Sequence, residues 1–495
     1  MTGHDTGRVG ARVWWLRLVA AAGLAALLIP IGRWRMIDGD EGYILMAARL
    51  VSEGKRLYTD FFFPQMPLLA DVYGTWFWLA GRSWYGARLF SALIAVGNGL
   101  LVLEILYRRH GRMRWALVGT AAYLAAGPVT GWFTIAKAFG PTAFLLSLAV
   151  LLLESAVTPL GVACGGLALA LAAECRLYVV VAFPCAVLFL LRRYGVSWRG
   201  LRFVLFLAGG ALVGGIVLLP YIVRDWHNFY FGAWVYHSIR EYGQNGFVTN
   251  WPNKRETLLT VLYLDRTHFP GNLQFLGLTA FALLALFWPR LGRNRLASYL
   301  WPVLFVVSLI PSPAEEQYFC LLVPFLVVEA VEVFAALRPV KAWPLLAVLG
   351  LAFTILGGLD LERYLVTAQG VPGVVTRDRV PRWSIPTVQT VADKIDAANC
   401  PEGASWWPGY FVSTRTPINL RLANDFGFRA ADHVSAKERR RLGIVTHAEV
   451  VAMMDRKSPR LFVAGNWTSV PENLFAQKGY REVAWFQNVK LWVAR

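Results

Sequence analysis

Apolar runs of membrane-crossing length recur from residue 14 to about 358, separated by short polar breaks. A helix needs about 20 predominantly apolar residues to cross the hydrocarbon core of a bilayer. On that measure spans are predicted near 13–31, 86–107, 115–127, 139–153, 159–173, 177–191, 203–223, 272–288, 298–311, 318–337 and 343–358. Several runs are shorter than a full crossing, so the third to fifth helices are expected to be tilted or shielded by neighbours. Beyond residue 360 the pattern changes to apolar/polar alternation and helical periodicity of ordinary length. There it predicts helices near 386–398, 435–442 and 447–455, strands near 404–407 and 460–464, and a hairpin near 481–494. The expected fold is an all-α polytopic membrane bundle of about eleven transmembrane helices over 1–358, followed by a small α/β soluble domain over 359–495.

Charge placement adds an orientation. Arg8, Arg12 and Arg17, then Arg108, Arg109, Arg112 and Arg114, then Arg192, Arg193, Arg199 and Arg202, then Arg290, Arg293 and Arg295, and finally Arg338 and Lys341 fall in breaks that alternate with longer polar segments. Basic residues mark cytoplasmic loops. The parity therefore puts the N-terminus in the cytoplasm, and the outer loops 32–85 and 224–271 and the C-terminal domain on the extracytoplasmic face of a cell membrane. The net charge of +18 would suggest a nucleic-acid partner in a soluble protein. Here it is spread over separate loops that already have an explanation, so no nucleic acid is expected. With 56% hydrophobic and only 16% charged residues, the chain needs membrane lipid as part of its solvent.

The cysteines give no disulfide framework and no metal-ligand spacing. The first apolar run lacks a small-residue cleavage site and reads as an uncleaved span. Asn466-Trp467-Thr468 fits a glycosylation sequon, relevant only in a eukaryotic source.

The first outer loop is the chemically dense part. Tyr43, Met46, Ala47 and Leu50 share one helical face, and Gly54 stands as a helix stop. Tyr73, Trp76, Phe77, Trp78 and Trp84 follow, a composition typical of helices at a membrane surface. Asp38, Asp40 and Glu41 crowd directly after the first span. Two readings stand beside each other. Crowded, partly desolvated carboxylates serve as a general base near neutral pH or hold a divalent cation such as Mg or Mn. The same acids also suit the N-terminal cap of a helix starting there.

Asp40-Glu41-Gly42-Tyr43, then Ala47-Ala48-Arg49, then Glu53-Gly54-Lys55-Arg56-Leu57-Tyr58-Thr59-Asp60-Phe61-Phe62-Phe63-Pro64-Gln65-Met66-Pro67-Leu68 resembles the first outer loop of the GT-C glycosyltransferases. More narrowly, it resembles the branch of the protein O-mannosyltransferases and the lipid A aminoarabinose transferase. The resemblance implies transfer of a sugar from a polyprenyl-phosphate carrier to a glycan, lipid or protein acceptor outside the membrane. It places Asp40 at the catalytic Asp, with Glu41 its companion and Asp38 an added neighbour. Tyr43 and Gln65 then fall among the substrate-binding residues. Two departures stand out. Gln65 in Gln65-Met66-Pro67-Leu68 replaces a phosphate-binding lysine, and Gly140-Pro141 stands where the aminoarabinose transferase has a second Asp before proline.

The donor phosphate therefore needs other cations, and Arg176, Arg240, His237, Lys137 and Arg56 lie at predicted outer ends. Arg176 stands between two apolar runs, where a charge is expensive unless paired or used. Pairing with Glu174 or a lipid headgroup is the structural alternative. His237 and Arg240 share a helical face. Glu316 and Tyr318, in a short outer loop, are expected near the sugar, while Trp406-Trp407-Pro408-Gly409-Tyr410 and Asn424-Asp425-Phe426-Gly427 read as a ligand-facing wall, with structural core the favoured alternative for the tryptophans. A lipid-linked-sugar transporter or flippase, or a non-catalytic envelope-assembly subunit, are the competing classes. A transporter calls for internal repeats and mid-span ionisable residues.

Overall fold

In a computed structural model the described residues are 3–240, 250–265, 268–288, 291, 295–337, 339–367, 383–465 and 467–495. Arg290, Arg293, Arg338, Pro372, Gly373, Pro381 and Asn466 lie outside them. Every one of the predicted spans coincides with a helical segment. Seven helices are long and apolar enough to cross a membrane, and Phe139–Ser155, Pro159–Cys175 and Leu296–Val307 are shorter apolar helices at three of the other predicted positions. The chain is an integral membrane protein.

Two compact units form, each discontinuous in sequence: 1–32, 91–216 and 251–362, and 33–90, 217–250 and 363–495. The first is the helical bundle. Helices Pro159–Cys175 and Trp198–Gly215 approach backbone to backbone, because a Cβ on Gly166 would lie 2.0 Å from the Leu207 carbonyl and one on Gly210 1.8 Å from that of Ala163. Small residues are what allow such contact where no hydrophobic force separates helix from lipid. At Arg109 the basic cluster turns inward. Its guanidinium meets Glu154 at 2.6 Å and Glu332 at 3.0 Å, and Arg295 meets Glu329 at 2.9 Å. Charges within such a bundle persist when paired in this way.

In the second unit the C-terminal residues form a four-stranded sheet of order β1-β2-β4-β3, with β1 Gly403–Ser405, β2 Leu461–Ala464, β3 Tyr480–Phe486 and β4 Val489–Ala494. β1 and β2 run parallel and are buried along their length, whereas β4 is antiparallel to both β2 and β3. Trp406, Phe462, Phe475, Tyr480 and Trp492 fill the core beneath them. The helices Ile385–Ala397, Ala436–Leu442 and His447–Asp455 occupy the predicted places.

The helix Gly39–Ser52 is buried on more than the one face that spacing marks, since Gly39 and every residue from Glu41 to Leu50 are buried. Periodicity marks only its apolar face. Its other face is covered because Arg49 hydrogen-bonds the Phe411 carbonyl, the Thr414 hydroxyl and the Thr416 carbonyl, which satisfies a guanidinium that would otherwise need water. The helix Leu68–Ala80 buries Tyr73 and Phe77 while Trp78 stays exposed.

Candidate active site

The three crowded acids have three different environments. Asp38 is the N-cap of helix Gly39–Ser52, accepting the Asp40 N–H at 3.0 Å, and Glu41 completes the capping box by accepting the Asp38 N–H at 3.1 Å. Glu41 also meets Arg88 through two hydrogen bonds of 2.5 Å, with both side chains out of solvent. Arg35 lies beside them, also buried; burial and the neighbouring Arg88 lower its pKa to about 10, against the pull of Asp38 and Glu41. Two buried acids thus balance two buried guanidinium groups. Asp40, in the first turn, is half-buried and the most open of the three.

The capping reading therefore holds for Asp38 and Glu41. A shared cation site at the three acids is not formed: among the described residues no three His, Cys, Asp or Glu side chains are placed to hold a metal ion. Asp38 is turned to a backbone N–H and Glu41 to a guanidinium, so the carboxylates do not converge.

Residues from the C-terminal segment hold this helix start. Trp407 Nε1 donates to the Gly39 carbonyl at 2.9 Å, and its indole lies over Gly42, where a Cβ would approach to 2.5 Å. Trp84 and Trp383 pack on the same indole, so Trp407 is core, as its sequence context suggests. Gln65 donates to the Tyr43 hydroxyl, bringing two predicted substrate-binding residues together. Tyr43 meets Phe426 edge to face at 4.5 Å. Asp425, next in the chain, is half-buried; burial raises its pKa to about 7, opposed by Arg429 and aided by the nearby Asp40 charge. Its Oδ1 is buried without a hydrogen-bond partner among the described residues.

In the bundle unit, Lys137 and Arg176 come together around aromatic rings. The Lys137 ammonium donates to Gln317 Oε1 at 2.6 Å and lies 5.2 Å from the Trp132 centroid. Arg176 sits over Phe139, Tyr318 and Tyr178 at 4.3, 4.6 and 5.0 Å. Both cations lie over the Phe139 ring, Lys137 at 5.6 Å and Arg176 at 4.3 Å, which brings them to one place. The buried Arg176 Nε has no hydrogen-bond partner among the described residues. Aromatic faces attract such cations through the ring quadrupole.

The remaining predicted residues are dispersed. Arg56 is exposed and paired with Asp60 at 3.2 Å. His237 and Arg240 end a single helical turn, Tyr236–Ile239, that follows a π segment, where His237 packs edge-on against Tyr236. Glu316 accepts from Asn272 at 3.3 Å. Arg88 and Arg35 escaped the sequence reading, although an arginine in the predicted span 86–107 is itself a signal of a buried partner.

No family model matches the sequence, and no curated protein matches it. Among solved structures, ArnT from Cupriavidus metallidurans in the apo state superimposes with a TM-score of 0.69 at 16% identity, over 97% of this chain and 98% of that one. The same protein bound to undecaprenyl phosphate gives 0.68 at 15% identity, over 96% and 97%. An oligosaccharyltransferase from Archaeoglobus fulgidus, AglB with an inhibitory peptide and a dolichol-phosphate, gives 0.47 at 12% identity, over 91% and 69%. The chain has the fold of ArnT, in keeping with the resemblance of the first outer loop.

Proposed function

We propose that this chain is a membrane glycosyltransferase that moves one sugar from a polyprenyl-phosphate carrier to an acceptor hydroxyl on the extracytoplasmic face, with Asp40 as general base. The ArnT fold, seen elsewhere with undecaprenyl phosphate bound, supports the carrier class. The observation that carries the assignment of the base is the division of labour among the acids. Asp38 and Glu41 are buried at the cap and against Arg88, whereas Asp40, in the first turn of the same helix, keeps partial exposure, which supports its choice as the base.

In this reading Asp40 takes the acceptor hydroxyl proton as that oxygen attacks the anomeric carbon, and the carrier phosphate departs with the bonding pair. A single displacement inverts the anomeric centre. Charge grows on the phosphate as the bond breaks, so cations aimed at it stabilise the transition state more than the ground state. Lys137 and Arg176 are assigned that role. Guanidinium suits a phosphate through its fork of donors, and the unpartnered Arg176 Nε supports the choice.

The test is transfer of a radiolabelled sugar from lipid carrier in membranes carrying Asp40→Asn, with correct insertion verified. A base contributes roughly 10²–10⁴-fold, so a loss of about a hundredfold or more is expected. Near-normal turnover in the Asn variant would overturn the assignment. Carrier movement across proteoliposomes without any glycosyl product would favour a flippase instead.

A further inference from the structure

The C-terminal helix Ala436–Leu442 and the outer-loop helix Leu219–Tyr230 belong to one unit and are tied together by their side chains. His227 pairs with Glu438, Asp225 with Arg441 at 3.3 Å, and Asn228 Nδ2 donates to the Arg441 carbonyl at 3.2 Å. Each helix presents a distinct open face. On the outer-loop helix and its continuation, Val223, Trp226, Tyr230 and Trp234 are all exposed. On the C-terminal helix, Lys437, Arg440 and Arg441 stand at i, i+3 and i+4 and are exposed as well, with Arg224 exposed on the partner helix.

These aromatic residues cannot be part of a simple crossing. The apolar run containing them is 42 residues long. At 1.5 Å per residue that is about 63 Å, twice the roughly 30 Å hydrocarbon thickness. Asp225 breaks the helix with φ −155° and ψ 81°, and a π segment, Phe231–Val235, follows. The part after the break has the composition of an interfacial segment, since exposed Trp and Tyr favour the membrane surface. Three ties to this segment hold the basic face of Ala436–Leu442 beside it.

We propose that Lys437, Arg440 and Arg441 form a docking face for anionic phospholipid headgroups, seating the C-terminal segment on the outer leaflet beside Trp226, Tyr230 and Trp234. Charge complementarity names the occupant. Basic clusters next to a bilayer attract anionic lipid, at roughly a fivefold gain in affinity per cation. The folded helix makes the face specific: Ser435 caps its start and Gly443, with φ 71°, ends it, so the three cations are held on one side.

The test uses the full chain in detergent, titrated with phosphatidylglycerol or phosphatidylcholine and read by native mass spectrometry. The proposal expects tighter phosphatidylglycerol binding that weakens with salt. Lys437→Glu with Arg440→Glu should lower that affinity by at least about fivefold while leaving phosphatidylcholine binding unchanged. Lys437→Gln with Arg440→Gln should give an intermediate loss, which excludes misfolding as the cause. Equal phosphatidylglycerol affinity in all three proteins would overturn the proposal. So would full competition by an equal concentration of inorganic phosphate, because the face would then read a free anion and not a leaflet.

Discussion

Glu41 and Arg88 meet through two hydrogen bonds of 2.5 Å, both side chains withdrawn from solvent. This pair holds the start of the helix that presents Asp40.

Glu41→Gln separates the two duties of that side chain. Glutamine still completes a capping box, so any loss reports the ion pair alone. Leaving Arg88 buried and unpaired should cost about 3–5 kcal/mol, read as a lower thermal unfolding midpoint in detergent. Adding Arg88→Met should recover much of it, because an apolar replacement of similar volume removes the orphaned charge. No recovery in the double variant would show that the pair is not the source.

Gly42→Ala tests the indole clamp. The new methyl would meet Trp407 at 2.5 Å, and overpacking of this kind costs roughly 1–3 kcal/mol. Trp407 must then move away from the Gly39 carbonyl, so transfer activity should fall more than stability does. Trp407→Phe combined with Gly42→Ala should relieve the clash and restore part of the stability but not the lost hydrogen bond.

Lys137→Met and Arg176→Ala should each weaken polyprenyl-phosphate binding by about 10–100-fold, the range expected for one hydrogen bond to a charged group. Transfer at saturating donor should slow as well, because the phosphate charge grows in the transition state. Arg176→Lys keeps the charge but loses the fork and should fall between. Donor affinity and rate both unchanged in Arg176→Ala would remove it from the carrier site.

Asp425 gives a pH signature. Its folded pKa is raised to about 7, chiefly by burial, so the native state binds the proton more tightly than the unfolded chain. Stability therefore declines as pH rises from the ordinary carboxylate value toward 7 and levels off above it. Asp425→Asn removes this term. The stability advantage of the Asn variant over wild type should be absent near pH 4, grow up to about pH 7, and stay constant beyond, as measured by thermal unfolding across that range.

Much of the architecture was readable along the chain because its determinants are local. Lipid demands a minimum apolar length wherever a helix crosses, and each predicted run is a helix. The soluble elements were readable for the same reason, since Ser384, Ser435 and Thr446 cap the helices that periodicity places there. The acid cluster and the Tyr43 and Gln65 positions were likewise visible as a short motif. Which acid is open to a substrate was not. That depends on Arg88, which lies 47 residues from Glu41, and on Trp407, which lies 368 residues from Gly39. Neither partner leaves any periodic trace near residues 38–41, so pattern alone held the base and the cap as equal readings. Only the folded chain, by burying Asp38 and Glu41 against fixed partners while Asp40 keeps partial exposure, gave the three acids different surroundings.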